Sequence, residues 1–531
     1  MKINKGTIIF DETDWLSGLH PQYSTSTSNS QKLTNKLSST KNFNPYRYMG
    51  YAAPGFSPTD ITNVSIVDAV IRKIVVNNSN AYAISQGTLL HKIDTLSGNG
   101  SLVTPTTFPH TIAAHGGHTT VVGNDVVVYP HKVGGTSATR LMYSWSDNTD
   151  WDVGTFDYTT TFDDDFMSTA PATPLAAPYL AGGVGKPHPL IVGSDDILYI
   201  GDRNFLHGYD GQNAADNDGK FFPAVLTLPV GYIIQSMARI ENFLVIFAYM
   251  ESAGSSEFYL GRATAFFWNY LDLEPTRVVE LNDNYVDAAF EYKGTVGCFT
   301  QGRTISIDSI ATRPSKLQLF NGDVFEPVAY FVENIPITGG VEVRGDIIQW
   351  NSQGVLYSYG TPFKGTAVGL QKIASGSGST AGALATVATT LQLMSTGTTT
   401  SGGLQRLNSN YASSSIAATS MAEPQFNTKM KGQVERVRVF FAKTSSGGRN
   451  FTLVLLDRLG TSSTIISSAD SLTSITASNY IQEFENNTSG NPLFTFDGLK
   501  AVLEWESGSA ATDAPIVTKI EIDYKEVDLH T

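Results

Sequence analysis

The feature that most limits the possible folds is a pair of short apolar runs, broken by Gly, Asn or Asp, that keeps returning along the first two thirds of the chain. The pairs are Ala81–Ile84 with Leu89–Ile93, Val126–Tyr129 with Leu141–Trp145, Ile197–Ile200 with Phe205–Tyr209, Leu244–Tyr249 with Glu257–Leu260, Thr295–Phe299 with Thr304–Ile307, and Ile347–Trp350 with Val355–Tyr359. Their starts lie 45, 71, 47, 51 and 52 residues apart. Runs this short between turn formers read as strands rather than helices. The spacing suits a four-stranded propeller blade, which takes about 40–50 residues. One such sheet cannot bury both of its faces, and radial stacking hides them while leaving only short edges. Ile71–Val76, Tyr232–Arg239, Val286–Tyr292, Lys316–Phe320 and Gly340–Arg344 are available as the remaining strands. The chain is therefore expected to be all-β, with residues 61–370 forming an irregular β-propeller of about six blades. β-Sandwiches or a barrel are the competing architecture, since they also give regular short strands. The 71-residue interval holds Asp147–Pro189, rich in Thr, Asp, Pro and Gly, and reads as an insertion loop or a degenerate seventh blade.

Outside the repeat, residues 1–60 read as an extended N-terminal arm. Thr7–Phe10 can form one short strand, and Asn44–Pro54 is loop-like, with Pro45, Gly50 and Pro54. A polar segment of this length is expected to lie over another surface or to be disordered. Residues 371–425 read as a Gly/Ser/Thr-rich linker or projecting loop, in which Ala383–Met394 is apolar enough for one strand or a short helix. Residues 426–531 are expected to form a β-sandwich of jelly-roll type, with strands at Val434–Phe441, Phe451–Asp457, Ser463–Ser467, Leu499–Glu506 and Ile516–Tyr524. In the last of these, Ile520 and Ile522 alternate with Lys519, Glu521 and Asp523, the mark of a strand with one buried and one wet face.

Composition narrows the function. Only 16% of the 531 residues are charged, against about 25% in typical globular chains, and the formal net charge is −14. Lys and Arg are scattered, and the nearest approach to a basic stripe, Lys429–Lys431 with Arg436 and Arg438, alternates with apolar residues as a wet strand face would. Sequence-specific nucleic-acid recognition, which needs a basic patch, is disfavoured. Cys298 is the only cysteine, so no disulfide forms within the chain, and it sits in the apolar run Thr295–Phe299 as a small buried hydrophobe. No apolar stretch reaches the roughly 18 residues of a membrane span, the longest being the strand-sized Phe243–Met250. Met1–Phe10 lacks the apolar core of a signal peptide. The sequons at Asn63, Asn77, Asn450 and Asn486 are read as chance matches in an Asn/Ser/Thr-rich chain.

Several clusters could carry chemistry. His110, His115 and His118, with His131 nearby, are close enough to ligate a transition metal, but Gly116–Gly117 implies a flexible turn and no cysteine pair supports the geometry. Asp216–Gly219 resembles half of a calcium loop, with Ala214 and Val225 where ligands are needed. Asp163–Asp165 reads as a solvated acidic loop, because three adjacent carboxylates repel one another. Gly182–Lys186 is followed by Pro187 and lacks the hydroxyl residue of a phosphate-binding loop. Trp15, Trp145, Trp151, Trp268, Trp350 and Trp505 are dispersed and suit core packing or interface anchoring. No catalytic, cofactor-binding or metal-ligating residue is assigned, and the chain is expected not to be an enzyme.

Together these elements resemble the propeller-containing virion proteins of tailed bacteriophages, of the tail nozzle or tail-ring type. The resemblance is carried by the polar arm with its Trp15-Leu-Ser-Gly-Leu-His-Pro segment, the irregular propeller, the Gly/Ser/Thr stretch and the terminal β domain. It implies a structural role in the virion tail, a homo-oligomeric ring around the genome channel, contacts with neighbouring tail and adaptor proteins, and only transient contact with passing DNA. A receptor- or glycan-binding virion protein is the alternative, with a propeller glycoside hydrolase behind it.

Overall fold

In the computed structural model the described residues are 5–11, 36–41, 59–60, 71–77, 80–85, 89–93, 102–107, 118–122, 125–129, 143–145, 189–210, 220–251, 259–306, 309–312, 316–330, 340–352, 355–360, 370–375, 383–388, 391–398, 401–408, 420–425, 431–443, 451–457, 459–466, 481–485, 492–505 and 516–526. Every regular element among them is a β-strand. The chain divides into two compact units, one made of Met1–Pro58, Val355–Gly376 and Leu407–Thr531, the other of Thr59–Gly354 and Ser377–Arg406.

The second unit is the propeller. Its blades are antiparallel sheets of consecutive strands, as short runs joined by tight turns must be. The first blade is Ile71–Asn77, Asn80–Ser85, Leu89–Ile93 and Leu102–Thr107, and the second is His118–Val122, Asp125–Tyr129 and Tyr143–Trp145. The third is Leu190–Val192, Leu198–Asp202, Phe205–Asp210 and Lys220–Thr227, and the fourth Tyr232–Ile240, Phe243–Glu251, Tyr259–Trp268 and Arg277–Glu280. The fifth is Tyr285–Tyr292, Thr295–Gln301, Lys316–Phe320 and Phe325–Tyr330. The sixth begins with Val341–Arg344 paired to Ile347–Ser352. The seventh is Leu384–Ala388, Leu391–Thr398 and Ser401–Asn408, completed by Thr59–Asp60 from the start of the unit. The innermost strand of each blade lies against that of the next, and that of the seventh touches that of the first, so the ring is closed.

Alternation along each strand feeds both neighbours, because successive side chains point to opposite faces of a sheet. In Phe243–Glu251 of the fourth blade, Leu244, Ile246 and Ala248 pack with Tyr199, Leu206 and Leu226 of the third. Val245, Phe247 and Tyr249 of the same strand pack with Val286, Val296, Cys298 and Phe325 of the fifth. The run is apolar throughout because both faces are buried. Gly201 marks how close the third and fourth blades come: a Cβ there would lie 2.7 Å from the Ile234 methyl.

Among the described residues the ring shows seven blades where about six were expected. The first run of each of the six pairs read from sequence falls in one of the first six blades, but Thr304–Ile307 does not pair with Thr295–Phe299. Arg303–Ser306 instead forms a hairpin with Ser309–Thr312, and Thr295–Gln301 pairs with Lys316–Phe320. The stretch 371–425, expected as a linker, contains the three consecutive strands of the seventh blade and the sandwich strand Ser420–Gln425. Of the 71-residue interval, residues 147–188 lie outside the described residues.

The first unit is a sandwich of two five-stranded sheets. One runs Lys5–Phe10, Ile516–Glu526, Lys431–Lys443, Ile481–Glu485, with Phe494–Asp497 also on Lys431–Lys443. The other runs Lys36–Lys41, Ser420–Gln425, Leu499–Trp505, Phe451–Asp457, Ser462–Ile466. The same unit holds the antiparallel pair Val355–Gly360 and Leu370–Ser375. Val437, Val439, Ile520 and Ile522 of one sheet and Leu453, Leu455, Leu503 and Trp505 of the other meet in one core. A bulge between Val434 and Arg436 lets Val434 and Val437 both face inward despite their odd spacing.

The N-terminal arm is therefore part of both units. Lys5–Phe10 pairs with Ile516–Glu526, Lys36–Lys41 with Ser420–Gln425, and Thr59–Asp60 with Arg406 and Gln405. These pairings nest, the outer enclosing the inner. Phe10 is fully buried in the sandwich core while its neighbour Ile9 is 40% exposed. Phe10→Ala is expected to cost about 3–5 kcal/mol, and Ile9→Ala within about 0.5 kcal/mol of nothing, as read by chemical denaturation.

Candidate functional site

Four polar or exposed clusters stand out, and they differ in what they can do. The first is buried between the fourth and fifth blades. Asp283 follows the outer strand of the fourth blade, and its carboxylate accepts from Thr300 Oγ1 at 2.6 Å and Lys316 Nζ at 2.8 Å. Gln318 Nε2 donates to Thr300 Oγ1. Asp283, Thr300 and Gln318 are all buried. A buried carboxylate is stable only with such partners, so the cluster locks two blades together. Cys298 lies in the same blade, wholly buried. Burial first, and then the charge of Asp283, push its thiol well above the ordinary value. The thiolate needed for reaction is thus suppressed. A thiol-disulfide reagent such as dithionitrobenzoate is expected to leave the native protein unlabelled and to react stoichiometrically after unfolding.

The second cluster joins the sixth and seventh blades. Asn351 Nδ2 donates to the carbonyls of Ala383 and Ser395, both at 2.8 Å, and Gln392 Nε2 to Gln349 Oε1 at 2.7 Å. Burial raises the Glu342 carboxyl on the inner strand of the sixth blade, against hydrogen bonds from Thr386 and the charge of Arg344. On the inner strand of the first blade, burial lowers Lys73 to about 8. Perturbed groups on inner strands are what a functional hub would show, but these two sit on separate blades.

The third cluster is the outer face of the sandwich. Arg436 meets Asp523 at 2.7 Å and Glu483 at 3.5 Å, Arg438 meets Glu521 at 3.0 Å, and Lys5 meets Glu435 at 2.9 Å. The arginines are on the wet face, as their alternation predicts, and each is matched by carboxylates. Burial pushes the Asp523 carboxyl up, but hydrogen bonds from Thr7 and Arg436 and the charges of Arg438 and Arg436 outweigh it and hold it below its usual value. A carboxyl depressed in the folded state stabilises fully above its unfolded value of about 3.9 and ceases to do so as pH falls through the folded value. Asp523→Asn is therefore expected to flatten the loss of stability as pH falls below about 4, as measured by denaturation at each pH.

The fourth cluster is an end of the propeller. In a four-stranded antiparallel blade the turn after the first strand and the turn after the third fall at the same end. Contacts between blades confirm this end for the third to sixth. Ser194 N donates to Tyr270 Oη at 3.4 Å, Arg277 Nη2 to the Asp323 carbonyl at 3.0 Å, and Tyr292 Oη to the Asp346 carbonyl at 3.0 Å. The fourth blade contributes the loop between Trp268 and Arg277. Asn269 Oδ1 accepts from the amides of Leu271 and Asp272, its Nδ2 donates to Asp272 Oδ2, and Trp268 Nε1 donates to the Asp272 carbonyl at 2.6 Å. Tyr270 takes a left-handed φ of 68° and stacks near Tyr199 and Trp268. The Tyr199 hydroxyl donates to Asp195 at 2.6 Å; burial, this bond and the neighbouring charges raise its titration. This locked loop holds Leu271 and Leu273 at 87% and 86% exposure.

The sequence candidates fare unevenly. His110, His115, His131, Asp163–Asp165, Gly182–Lys186, Asp216–Gly219, Trp15, Trp151, Asn63, Asn450 and Asn486 lie outside the described residues. His118 opens the inner strand of the second blade. Trp268, Trp350 and Trp505 are buried, the latter two against Phe299 and Phe451. Among the described residues no group of three or more His, Cys, Asp or Glu is placed to hold a metal, and no helix is long and apolar enough to cross a membrane. The loop with Leu271 and Leu273 escaped the sequence reading. Its signal was the Asn269-Tyr-Leu-Asp-Leu-Glu-Pro275 segment, an Asn turn carrying two leucines among acids.

No known family matches the sequence, and no curated protein does. Among solved structures the matches have TM-scores below 0.5. The WD40 domain of Neurospora crassa Pan2 is 9% identical, over 64% of this chain and 90% of that one, with a TM-score of 0.39. The polysaccharide lyase Uly1 is 9% identical, over 77% of this chain and all of that one, with a TM-score of 0.42. An ancestral GH74 enzyme is 12% identical, over 70% of this chain and 51% of that one, with a TM-score of 0.38. At these identities and TM-scores the likenesses assign no activity, substrate or partner to the chain. They correct one expectation: that the chain is not an enzyme. A lyase and a glycoside hydrolase stand among its structural neighbours.

Proposed function

We propose that the chain is a structural component of a bacteriophage tail, a nozzle or ring protein that assembles into a homo-oligomer around the genome channel and contacts neighbouring tail proteins. The observation that carries this reading is the nesting of strands from residues 5–60 with strands from residues 401–526. It ties one chain into two β units through main-chain ladders, a construction suited to a load-bearing part. The sandwich face agrees with it. A conduit must let phosphates slide, and Arg436 and Arg438 are matched by Glu483, Glu521 and Asp523 rather than left free to hold them.

The test uses purified particles and purified chain. Mass spectrometry of virions is expected to find the chain at a fixed ratio to the other tail proteins, and negative-stain images of the isolated chain to show rings. Absence from particles together with a monomeric chain refutes the assignment. Specific retention of that monomer on a glycan array would then favour the receptor-binding reading, and release of reducing sugar from a polysaccharide panel the hydrolytic one.

A further inference from the structure

The propeller end that carries Leu271 and Leu273 joins three properties. Its aliphatic side chains stand in water: to the two leucines is added Val324, 50% exposed, in the corresponding turn of the fifth blade. Its backbone is fixed. Asn321 Oδ1 accepts from the amides of Asp323 and Val324, as Asn269 does from Leu271 and Asp272, and Arg277 spans the two turns to Asp323. Its charge is net negative, although the exposed Arg239 beside the Glu241 turn meets the Gly193 carbonyl at 3.4 Å and no carboxylate among the described residues. Arg277 and Lys293 are paired with Asp323 and Asp346, at 3.4 and 3.1 Å, whereas Asp195, Asp196, Glu241, Asp272 and Glu274 form no ion pair among the described residues.

Each property restricts the partner. Exposed leucines on a rigid loop lose little conformational freedom on docking, which favours binding. Grouped with Val324 at one end of the propeller, they leave water only in an apolar pocket. The unpaired carboxylates repel an anionic lipid surface or a nucleic acid and favour a cationic rim. We infer that this end of the propeller docks, through Leu271 and Leu273, into an apolar pocket rimmed by Lys and Arg on a partner protein. The inference rests on the reading of the chain as an assembly component and names the chemistry of one of its contacts.

The probe is a synthetic amphipathic helix of leucine and lysine, whose apolar face is bordered by ammonium groups. Its control has glutamate in place of lysine. Fluorescence anisotropy with the full chain is expected to show the lysine peptide binding at least about tenfold more tightly than the control, with affinity falling as salt is added. The double variant Leu271→Ser, Leu273→Ser is expected to lose about tenfold or more. Because both side chains are exposed, it should melt with the parent. Glu274→Lys is a second variant that keeps the leucines and should also weaken binding. Equal binding of the two peptides, undiminished binding by the double variant, or leucine-dependent self-association in place of peptide binding, seen by analytical ultracentrifugation, would overturn the inference. None of these measurements involves a virion. Their failure removes this surface and leaves the tail assignment standing, whereas absence from particles removes that assignment and leaves the peptide result intact.

Discussion

Everything in this fold hangs on strand pairing between distant parts of the chain. Lys5–Phe10 lies on Ile516–Glu526, Lys36–Lys41 on Ser420–Gln425, and Thr59–Asp60 on the strand Ser401–Asn408. The ring closes where the inner strand of the seventh blade meets that of the first, and the third pairing adds the outer strand of that seventh blade. A sandwich built only from residues beyond 407 would lack one strand in each sheet, and the first two pairings supply them. Main-chain hydrogen bonds give these closures their specificity, and buried Phe10 adds apolar weight to the outermost.

Within the propeller, two kinds of glue hold neighbouring blades. The third, fourth and fifth blades use alternation of large apolar side chains on both faces, as in Leu244 to Tyr249. The sixth and seventh use amides and hydroxyls as well. Asn351 ties two carbonyls of the seventh blade, and Gln392 meets Gln349. Apolar contacts tolerate some sliding, whereas a buried amide left without its partner costs the full desolvation of that group. The polar joints therefore fix register where the strands offer fewer large side chains.

These differences explain how much the sequence disclosed. The first six blades were legible because runs such as Phe243–Met250 and Ile347–Trp350 carry the apolar signal that two-sided burial demands. The seventh was not, because Ser401–Asn408 opens with Ser-Gly-Gly and has only two large apolar residues, its joint is polar, and its outer strand is two residues from another part of the chain. Lys36–Lys41 reads KLSSTK, and no local pattern tells such a segment which partner it will meet some 380 residues later. In the sandwich, Ile520 and Ile522 announced their burial correctly. The loop at Leu271 shows the opposite limit. Leucine is usually a core residue, and only the three-dimensional lock set by Asn269 and Trp268 shows that here it is held outward.

The nesting also sets a timetable for the ribosome. At about 5–20 residues per second, the segment Ile516–Glu526 emerges roughly half a minute to two minutes after Lys5–Phe10 has left the exit tunnel. Throughout that interval the first strand has no edge to join, and its phenylalanine must be shielded by a chaperone or by transient collapse. The propeller's own closure can form earlier, because its last partner, Ser401–Asn408, is made more than a hundred residues sooner. Synthesis thus favours an order in which the ring closes first and the flanking segments are zipped together afterwards, with the greatest risk of misassembly falling on the strand made first.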